Sequence, residues 1–174
     1  MILIFIDFIA LEVNKHKIGV VSILEHKQNS SSIGSFSWKI KMQGSMQATP
    51  LNRHMSVFWH RSYSVVMAQA DNQYITSKVT KGDITLFMTF VYGICDSHQR
   101  ETLRSDLNGF DPRNLPWVIG GDFNVIANPD ERKGRGPFQW KASTEFLQFM
   151  VGKGLIDLSF LGDHFTWCNN QRGN

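Results

Sequence analysis

LPWVIGGDFNVI, residues 115–126, is the stretch on which the reading of this chain turns. Trp117, Val118 and Ile119 read as a buried strand, yet the run ends in Gly120, Gly121, Asp122, Phe123 and Asn124. One explanation is an Asx-turn that starts a loop. The other is an active site at the mouth of a sheet. The glycines would let the backbone pass close to a ligand or a neighbouring strand. In extended backbone, residues two apart share a face, so Asp122 and Asn124 would lie side by side while Phe123 points into the core. A carboxylate can orient water or take its proton, and a carboxamide can donate to a phosphate oxygen or a developing oxyanion. That pairing suits phosphodiester hydrolysis.

Two other strand ends carry similar chemistry. Residues 84–92, ITLFMTFVY, form the longest strand candidate and look central. They end on Tyr92, which can hold a phosphate oxygen or simply close the core with a wet tip. Residues 19–24, GVVSIL, read as a compact buried strand that delivers Glu25 at its end. There a carboxylate can share a hard cation such as Mg²⁺ with waters, or sit in a solvated charged turn.

Around these, residues 55–60 and 63–68 flank Arg61 and Ser62 and are expected to pair as a hairpin. Residues 74–79 alternate as a half-exposed strand does, and Lys81, Gly82 and Asp83 make a turn. Residues 28–50, rich in Ser, Gly and Gln, read as irregular with one short helix. A helix is expected from Asp96 or Ser97 to about Leu107, with Gln99 completing a capping box, Leu103 and Leu107 on one face, and Asn108-Gly109 at its end. Ser143 is expected to cap a second helix with Glu145 in its first turn and Phe146, Phe149 and Met150 on its core face; Gly152 or Gly154 stops it. Strands in meander-like series with separated helices predict a layered α/β or α+β fold on largely antiparallel sheet.

Composition sets the frame. The 174 residues, 42% of them apolar, suit one domain with a real core and exclude a disordered chain. A net charge of +3 leans only weakly toward an anionic partner such as nucleic acid. The N-terminal MILIFIDFIALEV holds Asp7, lacks a basic flank and falls short of a membrane span, so a buried strand or helix start is expected rather than a signal peptide. Cys95 and Cys168 are too few for a disulfide framework, point to a reducing compartment and read as passive small hydrophobes. No His or Cys group has metal-ligand spacing, and His54 and His60 read as surface residues.

Glu25, Tyr92 and Asp122-x-Asn124, in that order at three strand ends, resemble the endonuclease/exonuclease/phosphatase superfamily. Its DNase I-like fold is a four-layer sandwich, two mainly antiparallel sheets with outer helices. The resemblance implies that Glu25 binds Mg²⁺ or Mn²⁺ and that Tyr92 contacts the phosphate. It gives Asp122 the attacking water and Asn124 the transition state. The stretches HKIGVVSILEHK, SVFWH, LPWVIGGDFNVIANPDERKG, GPFQW and GLIDLSFLGDHFTWCNNQRGN resemble more closely the endonuclease domain of plant LINE-type (non-LTR) retrotransposons. This similarity runs from about residue 13 to residue 174 and leaves 1–12 as an atypical N-terminal segment. It implies DNA nicking that frees a 3′-hydroxyl for priming, a reverse-transcriptase region in cis and a nuclear location.

The departures from that family are specific. No strand of the type W-N-x-R-G precedes Glu25, and His26 stands where the family's E-T-K has Thr. The chain stops at Asn174, before the R-L-D aspartate and the S-D-H histidine. His164, in GDHFTW, does not match that histidine. The domain is therefore expected to be incomplete at both ends. Three readings follow: an Mg²⁺-dependent DNA-nicking endonuclease impaired by truncation, a catalytically dead remnant that at most binds nucleic acid, and a phosphatase of the same superfamily. In the first, Lys133, Arg135 and Arg172 are candidates to meet the DNA backbone. The second follows because catalytic residues act as a unit.

Overall fold

The computed structural model describes residues 2–26, 30–47, 55–133, 137–159, 162 and 165. Arg135, His54, His164, Cys168 and Arg172 lie outside the described residues, as do parts of the 28–50 stretch. The chain divides into two compact units, Met1–Ile94 with Asp111–Phe123, and Cys95–Phe110 with Asn124–Asn174.

The first unit opens with helix α1, Ile2–Lys15, which settles the N-terminal alternatives in favour of a helix start. Ile6, Ile9 and Val13 recur at helical spacing and pack inward, while Phe8 and Leu11 stay exposed. Helix α2, Ser30–Lys39, repeats the device with Ile33, Phe36 and Ile40. Both helices end in the same way. Lys17 donates to the carbonyl of Asn14 and Ile18 to that of Val13; Lys41 donates to Trp38 and Met42 to Ser37. These are Schellman ends, and the residue after the cap adopts the left-handed conformation that usually selects glycine. Here it is a lysine both times, Lys17 at φ 51° and Lys41 at φ 59°.

The two helices cover a three-stranded antiparallel sheet of β1 (Val20–Leu24), β3 (Met55–Trp59) and β2 (Gly44–Gln47), in that spatial order. Ile23 and Phe58 face the helices, and Phe36 meets Phe58 at a centroid distance of 5.2 Å. The opposite face carries Leu24, Met55 and Val57, which pack with Ile75, Phe90 and Tyr92 of a second sheet. Met55, Val57 and Ile75 are fully buried, and each such side chain contributes roughly 1.5–3 kcal/mol.

The second sheet runs β4 (Ser64–Asp71), β5 (Tyr74–Lys81), β6 (Ile84–Tyr92) and β7 (Trp117–Asp122), neighbour by neighbour. The first three form an antiparallel meander, with Gly82 at φ 57° in the expected turn. β6 is the longest strand and is flanked on both sides, as expected. The hairpin expected between residues 55–60 and 63–68 does not form. β1 and β2 occupy both edges of β3, so β4 starts the other sheet instead. Residues 74–79 are not half-exposed: Tyr74, Ile75, Thr76, Ser77 and Val79 are all buried. Their polar members are satisfied internally. Thr76 Oγ1 lies 2.8 Å from Thr89 Oγ1, Trp117 Nε1 donates to Thr89 Oγ1 at 2.8 Å, and Ser77 donates to Met46 Sδ at 3.5 Å across the two sheets. Alternating polarity therefore marked two buried faces rather than one wet one. The 28–50 stretch is more ordered than expected, since it supplies both α2 and β2.

β7 lies parallel to β6, which requires a crossover, and helix α3 (Ser97–Gly109) lies on that connection. At Gly121 there is no room for a side chain between the two strands. Its φ is 136°, and a Cβ built there would stand 2.1 Å from the carbonyl oxygen of Val91. Gly120 has open space at the same test. The two glycines of the opening motif thus differ in kind. β7 is also less buried than its apolar sequence suggested: it is the last strand of its sheet among the described residues, and Val118 is 40% exposed.

In the second unit, Asp96 caps α3 by accepting from Gln99 N at 3.0 Å, and Leu103 and Leu107 are buried. Helix α4 spans Trp140–Gly152 and so begins before Ser143. Ser143 is no cap; its hydroxyl donates to the Ala127 carbonyl at 2.5 Å from within the helix. Glu145 likewise lies past the first turn and pairs with Arg104 at 2.5 Å, joining α4 to α3. Phe149 is buried, and Gly154 at φ 63° follows the helix end. Cys95 is a free, exposed thiol rather than a passive hydrophobe.

Gly121→Ala is expected to cost about 1–3 kcal/mol, because the new methyl meets backbone at a strained φ. Gly120→Ala is expected to stay within about 0.5 kcal/mol of the parent. Urea midpoints for the two variants measure the contrast, and equal losses would contradict it.

Candidate functional site

Three of the four expected residues fall in the first unit, at one end of its sandwich. Glu25 follows β1 directly, Tyr92 is the last residue of β6 and Asp122 the last of β7. Tyr92 and Asp122 are register partners in the parallel pair, and partners across a ladder share a face. That face is the one turned toward the first sheet, because Phe90 and Tyr92 pack with Leu24, Met55 and Val57. The Tyr92 hydroxyl donates to Glu25 Oε1, so the end of one sheet is tied to the end of the other. Glu25 and Asp122 are exposed and Tyr92 is half-buried. A reactant can therefore reach both carboxylates while the phenol ring is held by the core.

Asn124 lies in the second unit, where its Oδ1 is 3.5 Å from Cys95 Sγ. The face-sharing expected of Asp122 and Asn124 assumed extended backbone through both. Instead β7 stops at Asp122, and Asn124 has φ 48°. Strand alternation does not reach it. Asparagine is among the few residues that accept this conformation readily. Glu25 shares the trait at φ 54°, where a glutamate is uncommon. Two of the four residues thus stand in a left-handed conformation of the kind that clusters at functional sites.

Several supporting residues carried no sequence signal as such. Gln73 is buried in the β4–β5 turn, and its carbonyl accepts from Tyr92 N at 2.8 Å. Its side-chain Oε1 accepts from Ile94 N at 2.9 Å, so one residue holds the backbone on both sides of Gly93. Gly93 N in turn donates to the Asp122 carbonyl at 2.6 Å, and a Cβ on Gly93 would stand 2.6 Å from the Phe123 carbonyl oxygen. A glycine following a strand-terminal tyrosine was the one visible hint.

Whether a metal suits this end rests on its donor set. Glu25 offers an exposed carboxylate, a hard oxygen ligand, at a strand end. Mg²⁺ is commonly held by one or two carboxylates with waters completing the shell, and Glu25 fits that use. Among the described residues, no three His, Cys, Asp or Glu side chains cluster closely enough for an all-protein cage. The exposed Glu25 carboxylate thus fits a lightly held hard cation.

No family model and no curated protein matches the chain. Solved structures do. The chain is similar to the endonuclease domain of TRAS1, a telomere-specific non-LTR retrotransposon, with a TM-score of 0.61 at 10% identity over 82% of this chain and 63% of that one. It is similar to an AP endonuclease from Archaeoglobus fulgidus, with a TM-score of 0.60 at 14% identity over 84% and 65%. It is also similar to a β-hairpin deletion mutant of beta toxin from Staphylococcus aureus, with a TM-score of 0.59 at 12% identity over 93% and 69%. The chain spans less than two thirds of the length of the retrotransposon domain and of the AP endonuclease. At these identities the likeness is one of fold, and the fold of this chain is DNase I-like.

Proposed function

We propose that this chain carries out metal-dependent phosphodiester hydrolysis as the DNA-nicking endonuclease domain, residues 13–174, of a non-LTR retroelement. The observation that carries the reading is the meeting of Glu25, Tyr92 and Asp122 at one sheet end, with Tyr92 bonded to Glu25 and in register with Asp122. Two solved structures of the same fold are endonucleases by name, one of them from a non-LTR retrotransposon, and they support it. DNA is the proposed substrate, with a reverse-transcriptase region in cis and action in the nucleus.

Each residue has a role that its chemistry allows. The Asp122 carboxylate orients the attacking water and takes its proton. Tyr92 donates to a non-bridging phosphate oxygen; in the free chain that donor is given to Glu25. The Asn124 carboxamide donates to a second oxygen as charge builds there. Glu25 holds Mg²⁺ or Mn²⁺, which when bound supplies positive charge to offset that of the phosphate and the leaving oxygen. Gln73 and Gly93 keep Tyr92 and Asp122 in register.

Nicking of supercoiled plasmid in Mg²⁺ tests the reading directly. Asp122→Ala, at an exposed strand end, should leave the fold intact and lower the nicking rate by about 100-fold or more. A folded wild-type chain that does not nick, or nicking that survives Asp122→Ala, overturns the proposal and leaves the remnant. Glu25→Gln separates two functions of one residue. It keeps an oxygen for the Tyr92 hydroxyl but removes the charge. The Mg²⁺ concentration for half-maximal nicking should rise about tenfold or more with unchanged thermal stability.

A further inference from the structure

The other end of the first unit's sandwich is built differently. A cavity of about 950 Å³ opens there, between the ends of α1 and α2 and the 60–63 connection. Its lining includes four cations, Lys17, Lys41, Arg61 and Lys81, and, among the described residues, no aspartate or glutamate. All four are exposed. Among the described residues none of them is paired with a carboxylate. Trp38 also lines the cavity and is 79% exposed. We propose that this cavity is a second site, one that binds single-stranded nucleic acid.

Local structure accounts for only part of this arrangement. Cations near a helix C-terminus are favoured by the helix dipole, which gives Lys17 and Lys41 a modest reason to be there. The same positions call for glycine, because both residues have positive φ. Each instead projects a long cationic side chain beside the cavity. Arg61 and Lys81 come from a connection and a strand end, where no dipole applies. Lys81 is held in place: its Nζ lies 4.7 Å from the centre of the Tyr63 ring and donates to the Tyr63 hydroxyl at 3.1 Å.

Trp38 distinguishes a polynucleotide from a small anion. The buried side of α2 is formed by Ile33, Phe36, Ser37 and Ile40, so packing makes no demand on Trp38. An exposed indole beside a cluster of cations is the combination that holds single strands: backbone phosphates meet the cations and an unpaired base stacks on the ring. A duplex keeps its bases stacked on one another and offers no face to the indole. The four positive charges without a lining carboxylate exclude a cationic ligand by simple repulsion.

The site is independent of the nuclease reading and can be tested without it. Fluorescence anisotropy of a labelled oligothymidylate, in EDTA so that no cleavage can occur, reads binding alone. Four phosphate contacts predict a slope of log K against log[salt] near −3. Trp38→Ala should weaken binding at least about fivefold. Lys17→Gly with Lys41→Gly removes two charges while relieving two left-handed backbones, so loss of fold is not a confounding outcome. That variant should keep or raise the melting temperature, weaken binding and flatten the salt slope by about 1.4. Failure of the folded wild-type chain to bind overturns the proposal. So does a Trp38→Ala variant that binds as wild type, a duplex that binds more tightly than the single strand, or competition by polyglutamate as effective as that by the unlabelled oligonucleotide.

Discussion

Gly121 against the backbone of Val91 is the contact on which the rest depends. β6 and β7 run parallel, so their last residues arrive at the same end of the sheet. A side chain at position 121 would collide with the β6 carbonyl and push the strands apart. With the methyl absent, β7 closes onto β6, and Asp122 comes into register with Tyr92. The bond from Gly93 N to the Asp122 carbonyl then continues the pairing one residue beyond the ladder. The closeness that a turn-forming glycine pair suggested is thus a strand-to-strand closeness, and it places a carboxylate beside a phenol.

Sheet twist alone would not hold that register against a slip, since β7 is exposed at its outer side. The anchor lies farther down the strand. Trp117 donates to Thr89, and Thr89 bonds Thr76, so a hydroxyl chain crosses β7, β6 and β5 inside the protein. Each buried hydroxyl left without a partner would cost about 1–3 kcal/mol, and a slip of β7 would strand the indole N–H. On the opposite face of the same sheet, Phe90 and Tyr92 pack against the first sheet. One face thus sets the register of β7, and the other aims Tyr92 at Glu25.

Much of this could be read from the residues in order. The long strand 84–92, the glycine turn at 82, the Asp96 cap and the core face of α3 all follow from local chemistry, because each depends on neighbours within a few positions. Glu25, Tyr92 and Asp122 were legible as strand ends for the same reason. What stayed hidden depended on partners distant in sequence. Residues 55–60 and 63–68 look like a hairpin until β1 and β2 are known to fill both edges of β3. Thr76 and Ser77 look wet until Thr89 and Met46 are found opposite them. The conformation of Asn124 was misjudged because a strand's end cannot be seen in an alternating pattern: Asp-x-Asn has the same spacing whether or not the backbone stays extended.

The direction of the strands also separates two kinds of chemistry. β1 and β6 end where Glu25 and Tyr92 meet, whereas α1 and α2 end, and β1 begins, beside the cationic cavity. From Gly19 to Glu25 the chain runs six residues of nearly extended backbone, roughly 20 Å at a strand's rise. The Debye length at physiological ionic strength is about 8 Å, and the charges at both ends are exposed. The cations at one end are therefore screened from the carboxylate end. A set of four cations placed to assist the carboxylate end would sit within a Debye length of it; these line a cavity at the start of β1, the opposite end of the strand from Glu25. Their clustering needs a cause at their own end of the sandwich, and a bound polyanion is a cause that also explains the exposed indole among them.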